Sequence, residues 1–321
     1  HKAIRRQRQM CIRDRYYCGK IMGDNKKIAA VVVTYNRLDL MKKCVNALRK
    51  QSRTLNTIFV INNNSTDGTK EWLDRQTDLI VIHQPNVGGA GGFARGIDEA
   101  FKAGYDWIWT MDDDVNPTQT CLADLLAAME ANTGILCPCR KMKDKFVLGE
   151  TLTFNLTNPF FPLKTLLLPQ NIKSTPIDIE GMAFEGPLIS RTVVEKIGLP
   201  EKGLFIFWDD TDYSYRTILA GFKVRYVPNA ILNKEDLSVG GISMNTCSWK
   251  VPYGLRNLVY FSHTYGKNSF FRNVYPFFVW IRYMLGWIKH ILKKDGYYKW
   301  NDWNMIWNSY RMGINKILGK I

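Results

Sequence analysis

The sequence has no Cys-x-x-Cys pair and no group of cysteine and histidine residues at the spacing of a zinc site. Its seven cysteines are an odd number, and we find no secretory signal. A structural zinc module and a secreted domain held together by disulfides are therefore excluded. We expect a protein of a reducing compartment.

The body of the chain also lacks the positive charge that its formal total of +15 suggests. Residues 1–20 contain seven Lys and Arg against one Asp, and residues 249–321 contain twelve against two, so the residues between them are close to neutral. A domain that binds duplex nucleic acid carries its charge on the folded body. We therefore expect no nucleic-acid partner, with RNA binding by the basic ends as the alternative.

Residues 1–25 are a basic leader without apolar periodicity, and it does not begin with Met. We expect this leader to lie outside the fold and residues 1–20 to be foreign to the natural protein. A native basic arm is the alternative.

After residue 26, short apolar runs rich in β-branched residues alternate with segments of helical periodicity. The first run, residues 28–33, is continuous and apolar, which is typical of a strand covered on both faces. Further strands are predicted at residues 57–61, 79–82, 106–111, 134–138, 205–208 and 223–227, and residues 140–180, with four prolines, are expected to be irregular. The alternation predicts an α/β fold whose mostly parallel central sheet is flanked by helices, with ligands beyond the carboxyl ends of the strands.

Three aspartates directly follow the strand predicted at residues 106–111. On an extended segment Asp112 and Asp114 point the same way, so one hard cation can take oxygens from both. Oxygen ligands favour Mg²⁺ or Mn²⁺ over zinc. A solvated acidic turn or a helix cap is the alternative interpretation of the triplet.

A glycine cluster at residues 86–96 opens the helix that follows the third strand. Four of its members would let the backbone approach a ligand, and the helix start favours negative charge there: Gly88, Gly89, Gly91 and Gly92. Tight packing of the helix on the sheet explains the same cluster equally well.

A second acidic centre, Asp209 and Asp210, follows Trp208 far along the chain. A sugar-transfer reaction needs a base to take the proton of the acceptor hydroxyl while a metal holds the departing diphosphate. Acids that only favour a helix N-terminus are the alternative.

In their order along residues 28–240, these motifs resemble glycosyltransferase family 2. The matching segments are VTYNR at 33–37, NNNSTDGT at 62–69, NVGGAGGFARG at 86–96, DDD at 112–114 and WDD at 208–210. The resemblance implies a GT-A nucleotide-diphospho-sugar transferase fold, a catalytic domain over residues 26–248 and inversion at the anomeric carbon. Galactofuranosyltransferases are the most similar members, and rhamnosyltransferases come next.

The resemblance also implies roles for individual residues. The donor would contact Thr34, Tyr35, Asn36, Arg37, Asn62, Asn64, Gly88, Gly89, Gly91, Gly92, Arg95, Asp112 and Asp113. Asp112 and Asp114 would hold Mg²⁺ or Mn²⁺, and Asp210 would be the general base, with Asp209 as the second candidate. The acceptor side would include Trp208, Tyr253 and Arg256, with Arg256 near phosphate or the core acids.

Two positions depart from the family pattern. Asn62 stands where many members have an aspartate that contacts uracil, and residues 233–234 lack the expected metal-binding histidine. Either Asn233 or a water replaces that ligand, or Lys234 meets the diphosphate directly.

Residues 249–321 are rich in tryptophan, lysine and arginine, and we expect an amphipathic helical extension. The apolar segment 274–292 carries Arg282 near its middle, which costs about 2.5–3.5 kcal/mol in a membrane span. A helix lying in the membrane interface fits this composition better. Packing of the aromatic residues onto the catalytic domain is the alternative.

The function expected from the resemblance is inverting, metal-dependent transfer of a sugar, from UDP-galactofuranose first or dTDP-rhamnose second. The acceptor would be a cell-surface glycan or a lipid-linked oligosaccharide, and the enzyme would work in the cytoplasm against the inner face of the cytoplasmic membrane; a homo-oligomer is left open. A nucleotidyltransferase is the first alternative of another class, although its Gly-rich basic first loop is replaced here by VVVTYNR. An inactive module that binds sugar nucleotides is the second.

Overall fold

The computed structural model describes residues 26–236 and 249–321. The leader predicted at residues 1–25 and the end of the predicted catalytic domain, 237–248, lie outside the described residues.

The first part of the chain forms parallel strands, and all of them except the one at the edge of the sheet are buried on both faces. They are β1 (Ile28–Thr34), β2 (Thr57–Asn62), β3 (Leu79–His83) and β4 (Trp107–Asp112), in the spatial order β4-β1-β2-β3. The connecting helices are α1 (Leu38–Arg49), α2 (Thr69–Leu73) and α3 (Gly88–Lys102). Alternate residues of β1 enter two hydrophobic cores on opposite sides of the sheet, which explains its uninterrupted apolar sequence.

The second part extends this sheet and makes it mixed. Its elements are β5 (Val115–Pro117), α4 (Cys121–Ala127), β6 (Thr133–Met142), β7 (Lys145–Phe146), β8 (Thr151–Phe154), β9 (Lys164–Leu166), β10 (Ile177–Asp178), β11 (Leu188–Ser190), α5 (Arg191–Ile197), α6 (Asp209–Leu219) and β12 (Lys223–Lys234). The full order is β10-β12-β6-β11-β4-β1-β2-β3, with β5 on β12, β7 on β6, and β8 and β9 as a separate pair. Strands β6 and β12 are parallel to each other, and antiparallel β11 joins them to β4.

The prediction of a strand at residues 205–208 is wrong. A 3₁₀ turn, Lys202–Leu204, is followed by left-handed backbone at Phe205, Phe207 and Trp208, with φ of 65°, 65° and 69°. The Asn257 side-chain amide donates hydrogen bonds of 2.9 Å to the carbonyls of Leu204, Ile206 and Phe207. A helix side chain therefore satisfies backbone acceptors that a neighbouring strand would otherwise satisfy.

Residues 140–180 contain more strand than the irregular segment we predicted, but in pieces of two to four residues. Strand β11 was not predicted, and it has only three residues. Strands this short do not show an alternation of apolar and polar residues, which is the signal that a sequence offers.

Three helices complete the fold: α7 (Val251–Tyr265), α8 (Ser269–Lys293) and α9 (Asp302–Ile314). They share a hydrophobic core in which Phe261 and Phe271 cluster with Tyr215 of α6, so some of the aromatic residues do pack inward. In the two described ranges, no helix combines the length and the apolar character that crossing a bilayer requires.

Helix α3 lies very close to β1 because glycine replaces larger residues on its inner face. A Cβ atom added at Gly96 would lie 2.2 Å from Cγ1 of Val31. Since Val31 is itself fully buried, neither partner has room to move away.

We expect Gly96→Ala to lower the free energy of unfolding by about 1–3 kcal/mol through overpacking. Gly286→Ala in α8 is the matched control, because nothing lies within 4 Å of a Cβ at that position. Alanine there should leave stability unchanged or raise it by up to ~1 kcal/mol. Urea unfolding of both variants measures the difference, and equal midpoints would contradict the close packing.

Candidate active site

A cavity of about 970 Å³ lies at the carboxyl ends of β1 and β4. It is lined by the segments that follow these two strands, the start of α3, the turn before α6 and the first residues of α6. Of the residues predicted from the sequence, it includes Thr34, Tyr35, Asn36, Arg37, Gly88, Gly89, Asp112, Asp113, Asp114, Asp209, Asp210 and Tyr253. The two acidic motifs, almost one hundred residues apart in the sequence, thus face one cavity.

Side chains after β1 hold the acids after β4 in place. Thr34 Oγ1 donates a 2.6 Å hydrogen bond to Asp113 Oδ2. Arg37 Nη1 lies 3.1 Å from Asp113 Oδ1 and 3.3 Å from Asp114 Oδ2. Burial raises the pKa of Asp113, and the contacts with Thr34 and Arg37 act against that rise.

Asp112 and Asp114 are the residues of the cavity that could hold a cation. Burial raises the pKa of Asp112 well above its usual range, and the neighbouring carboxylates of Asp114 and Glu185 add to this rise. Asp114 Oδ1 is buried and has no hydrogen-bond partner. Carboxylate oxygens without a hydrogen-bond partner are ligands that Mg²⁺ or Mn²⁺ can use. Among the described residues, however, no group of three or more His, Cys, Asp or Glu side chains surrounds a possible metal position. Water and a substrate diphosphate would have to complete the ligand set.

Lys234, near the end of β12, lies where the family pattern led us to expect a histidine. Its Nζ contacts Glu185 and lies 3.7 Å from Asp114 Oδ2. Asn233 is exposed and, by strand alternation, points to the other face of the sheet. Of the two residues considered at the position of the expected histidine, Asn233 and Lys234, the structure therefore places Lys234 beside the acids.

Glu185 connects this lysine to a buried arginine. Arg140 pairs with both Glu185 and Glu150. Although burial alone would raise it, the pKa of Glu185 is lowered because the cations Arg140 and Lys234 both face its carboxylate. The acids at the cavity are thus part of a network of alternating charges.

Asp209 and Asp210 begin α6, directly after the left-handed residue Trp208. Burial and the charge of Asp210 raise the pKa of Asp209 to about 8. Desolvation also raises the pKa of Asp210, but the Thr211 N–H, at 2.6 Å, and the Lys164 cation favour its charged form. Of the two, Asp210 is therefore the carboxylate whose charged form has the more stabilising contacts, which favours it as the proton acceptor.

Several predicted donor residues lie away from the cavity. The Asn62 side-chain oxygen, Oδ1, accepts a 2.9 Å hydrogen bond from the Ser65 N–H, and its Nδ2 contacts His83 Nδ1. Asn64 does not line the cavity. Gly91 and Gly92 lie within α3 behind its first turn, and Arg95 pairs with Glu99 and lines a separate cavity of about 570 Å³.

Two predicted acceptor residues are also placed differently. Trp208 packs against Phe261, with ring centroids 5.2 Å apart, and does not line the cavity. Arg256 is fully buried, and its guanidinium donates to the carbonyls of Gly203, Leu204 and Gly319 rather than meeting phosphate or acids. The expectation that Arg256 lies near the core acids is wrong, because the turn before α6 supplies carbonyls that need a buried donor.

Sequence analysis missed some residues that line the cavity: Asn63, Asn86, Phe93, Phe184, Glu185 and Lys250. Asn63 donates to the carbonyl of Gly88 at 3.1 Å and so ties the end of β2 to the glycine cluster. The run NNNST indicated this segment, but not which of its three asparagines faces inward. Nothing in the local sequence around Glu185 distinguishes it.

Comparison with known proteins agrees with this geometry. Residues 29–196 match the family model for Glycosyl transferase family 2. Galactofuranosyltransferase GlfT1 of Mycolicibacterium smegmatis is 29% identical over 206 residues, which cover 62% of this chain and 68% of that protein. GlfT1 of Mycobacterium tuberculosis is 30% identical over 61% of this chain and 66% of its own length. The dTDP-rhamnosyl transferase RfbF of Shigella flexneri is 26% identical, with 71% and 74% covered. The chain thus spans about two thirds of the length of these two GlfT1 proteins.

A structural relative supports the fold. GalNAc-T7, whose crystal structure contains UDP, GalNAc and Mn²⁺, superposes with a TM-score of 0.57 at 16% identity, covering 91% of this chain and 56% of that one. The α/β architecture with a central sheet, flanking helices and a helical C-terminal region is confirmed as a GT-A fold. Because the family match extends over more than half of the sequence, the chain belongs to glycosyl transferase family 2.

Proposed function

We propose that this protein transfers a sugar from a nucleotide-diphospho-sugar to a glycan, with UDP-galactofuranose as the first candidate donor. The observation that carries the proposal is the single cavity into which the acids after β4 and the acids that begin α6 both open. The galactofuranosyltransferase relatives support galactofuranose. The rhamnosyl transferase relative supports dTDP-rhamnose as the second candidate.

On the donor side, the residues after β1 and the first turn of α3 would hold the nucleotide diphosphate. Gly89 has no atom within 4 Å of a Cβ position, so its backbone is open to a ligand, and the helix start favours negative charge. The cations of Arg37 and Lys234 would offset negative charge on the leaving diphosphate. A divalent cation held by Asp112 and Asp114 would supply further charge stabilisation of that diphosphate.

On the acceptor side, Asp210 would be the general base. The acceptor hydroxyl oxygen bonds to the anomeric carbon as the bond from that carbon to the diphosphate oxygen breaks, and the hydroxyl proton passes to an Asp210 carboxylate oxygen. Attack opposite the leaving group inverts the anomeric centre. Asp209 is less suited to this role, because burial and the neighbouring charge of Asp210 raise its pKa.

The proposed acceptor is a cell-surface glycan or a lipid-linked oligosaccharide, assembled on the cytoplasmic side of the membrane. An inactive binding module is less well supported, because Asp112, Asp114 and Asp210 are all retained and face one cavity. A nucleotidyltransferase is less well supported because every relative named above is a glycosyltransferase.

The donor can be tested with a panel of nucleotide sugars in the presence of Mg²⁺, Mn²⁺ or a chelator. We expect UDP-galactofuranose to give the largest increase in melting temperature and the fastest hydrolysis, and the chelator to reduce both. A larger response to dTDP-rhamnose would select the second donor. Stabilisation by nucleoside triphosphates, without any response to nucleotide sugars, would contradict the proposal.

Asp210→Asn should retain donor binding but reduce transfer at least ~10²-fold, because an amide cannot accept the hydroxyl proton. Asp209→Asn is the matched control, since an amide resembles the protonated acid that Asp209 is at neutral pH. Its loss of activity should be much smaller. Transfer rates and donor-induced melting shifts measure the two effects, and a greater loss in Asp209→Asn would move the base to that residue.

Lys164 should control the pH range of the reaction. Its cation lies 4.1 Å from the centre of the Trp208 ring and favours the charged form of Asp210. Removing it in Lys164→Met should raise the pKa of Asp210, so the base stays protonated to higher pH and activity is lost first at acidic pH. The pH profile of kcat/KM should shift to higher pH in Lys164→Met. It should not shift in Lys164→Arg, which keeps the positive charge. An unshifted profile in Lys164→Met would show that Lys164 does not set the pKa of Asp210.

A further inference from the structure

The outward side of α8 is apolar instead of polar. Phe270, Phe277, Leu285, Ile288 and Leu292 are all exposed, by 42–77%. At 100° per residue these side chains lie within one narrow arc of the helix. The helix has 25 residues and is therefore about 37 Å long at 1.5 Å per residue, so the arc forms an extended stripe.

Another segment of the chain enlarges this stripe. Phe160, which is 68% exposed, extends from the loop between β8 and β9 and lies 6.1 Å from Phe270 and 5.6 Å from Phe278, measured between ring centroids. At the opposite end of α8, exposed Trp300 lies 5.4 Å from Trp287. Large apolar side chains exposed together on one side of a helix are typical of an interaction site.

The charged side chains within α8 are all basic, and the acid that follows the helix most closely, Asp295, contacts His290. Helix α8 contains no Asp or Glu, and Arg282, Lys289 and Lys293 lie along one border of the apolar arc. Two copies of this surface that pack with their α8 helices antiparallel would bring these cations together, and like charges oppose such pairing. The pattern is complementary to a surface that is apolar within and anionic at its border.

We propose that this surface, the α8 stripe together with Phe160, binds the interface of an anionic lipid bilayer. The helix lies parallel to the membrane plane, with its apolar side chains at the boundary of headgroups and acyl chains and its cations at the headgroups. Arg282 near the centre of the helix agrees with this orientation rather than with insertion across the bilayer. The inference goes beyond the proposed sugar transfer and does not depend on which sugar is transferred.

Vesicle sedimentation of the full chain tests the proposal, with phosphatidylcholine alone or mixed with phosphatidylglycerol. We expect binding to the anionic vesicles that weakens as salt is added. Leu285→Glu should reduce binding about tenfold or more, because a carboxylate resists burial and is repelled by anionic headgroups. Leu219→Glu is the matched control: Leu219 and Leu285 are 61% and 60% exposed, but Leu219 lies on α6.

Both variants retain the basic residues 1–20, so the difference between them reports on α8 alone. Unchanged melting temperatures and donor-induced shifts in both would show that the fold and the cavity are intact. Equal losses in the two variants, or no binding by the unmodified protein, would overturn the proposal. A dimer in light scattering that Leu285→Glu converts to a monomer, without vesicle binding, would assign the surface to a second copy instead.

Discussion

The repulsion among buried carboxylates at the end of β4 is the constraint on which the rest of the site depends. Asp112, Asp113 and Asp114 lie together with Glu185, and burial strengthens their mutual repulsion because little water screens it. Arg37, Thr34 and Lys234 offset part of this charge, and one buried oxygen of Asp114 still has no partner. A site with residual negative charge and cations at its edges is suited to a divalent ion and a diphosphate together.

The position of the second acidic centre depends on the C-terminal helices. Several backbone carbonyls in the turn before α6 accept no hydrogen bond from a neighbouring strand among the described residues. The side chains of Arg256 and Asn257 in α7 donate hydrogen bonds to them. Gly88 approaches the same turn so closely that a Cβ there would lie 2.1 Å from the Phe205 carbonyl oxygen. The helices after the sheet thus help to fix the turn that brings Asp210 to the cavity.

The C-terminal aromatic residues are divided between two roles. Phe261 and Phe271 pack in the core that joins the helices to Tyr215 of α6, while Phe277 and the leucines of the outer stripe remain exposed. Inward packing is thus observed for the first group, and binding to a membrane interface stays a prediction for the second. Periodicity within α8 separates them, because the buried and exposed side chains lie on different sides of the helix.

Much of the fold and the location of the site followed from the sequence alone, since apolar strands and the polar motifs at their carboxyl ends are local patterns. The acids at 112–114 and 209–210 were identified in this way. Only the tertiary structure decided that Asn63 rather than Asn62 faces the cavity, that Arg256 binds carbonyls, and that Lys234 rather than Asn233 lies beside the acids. These outcomes depend on side-chain direction and on partners distant along the chain, and a local pattern of residues contains neither.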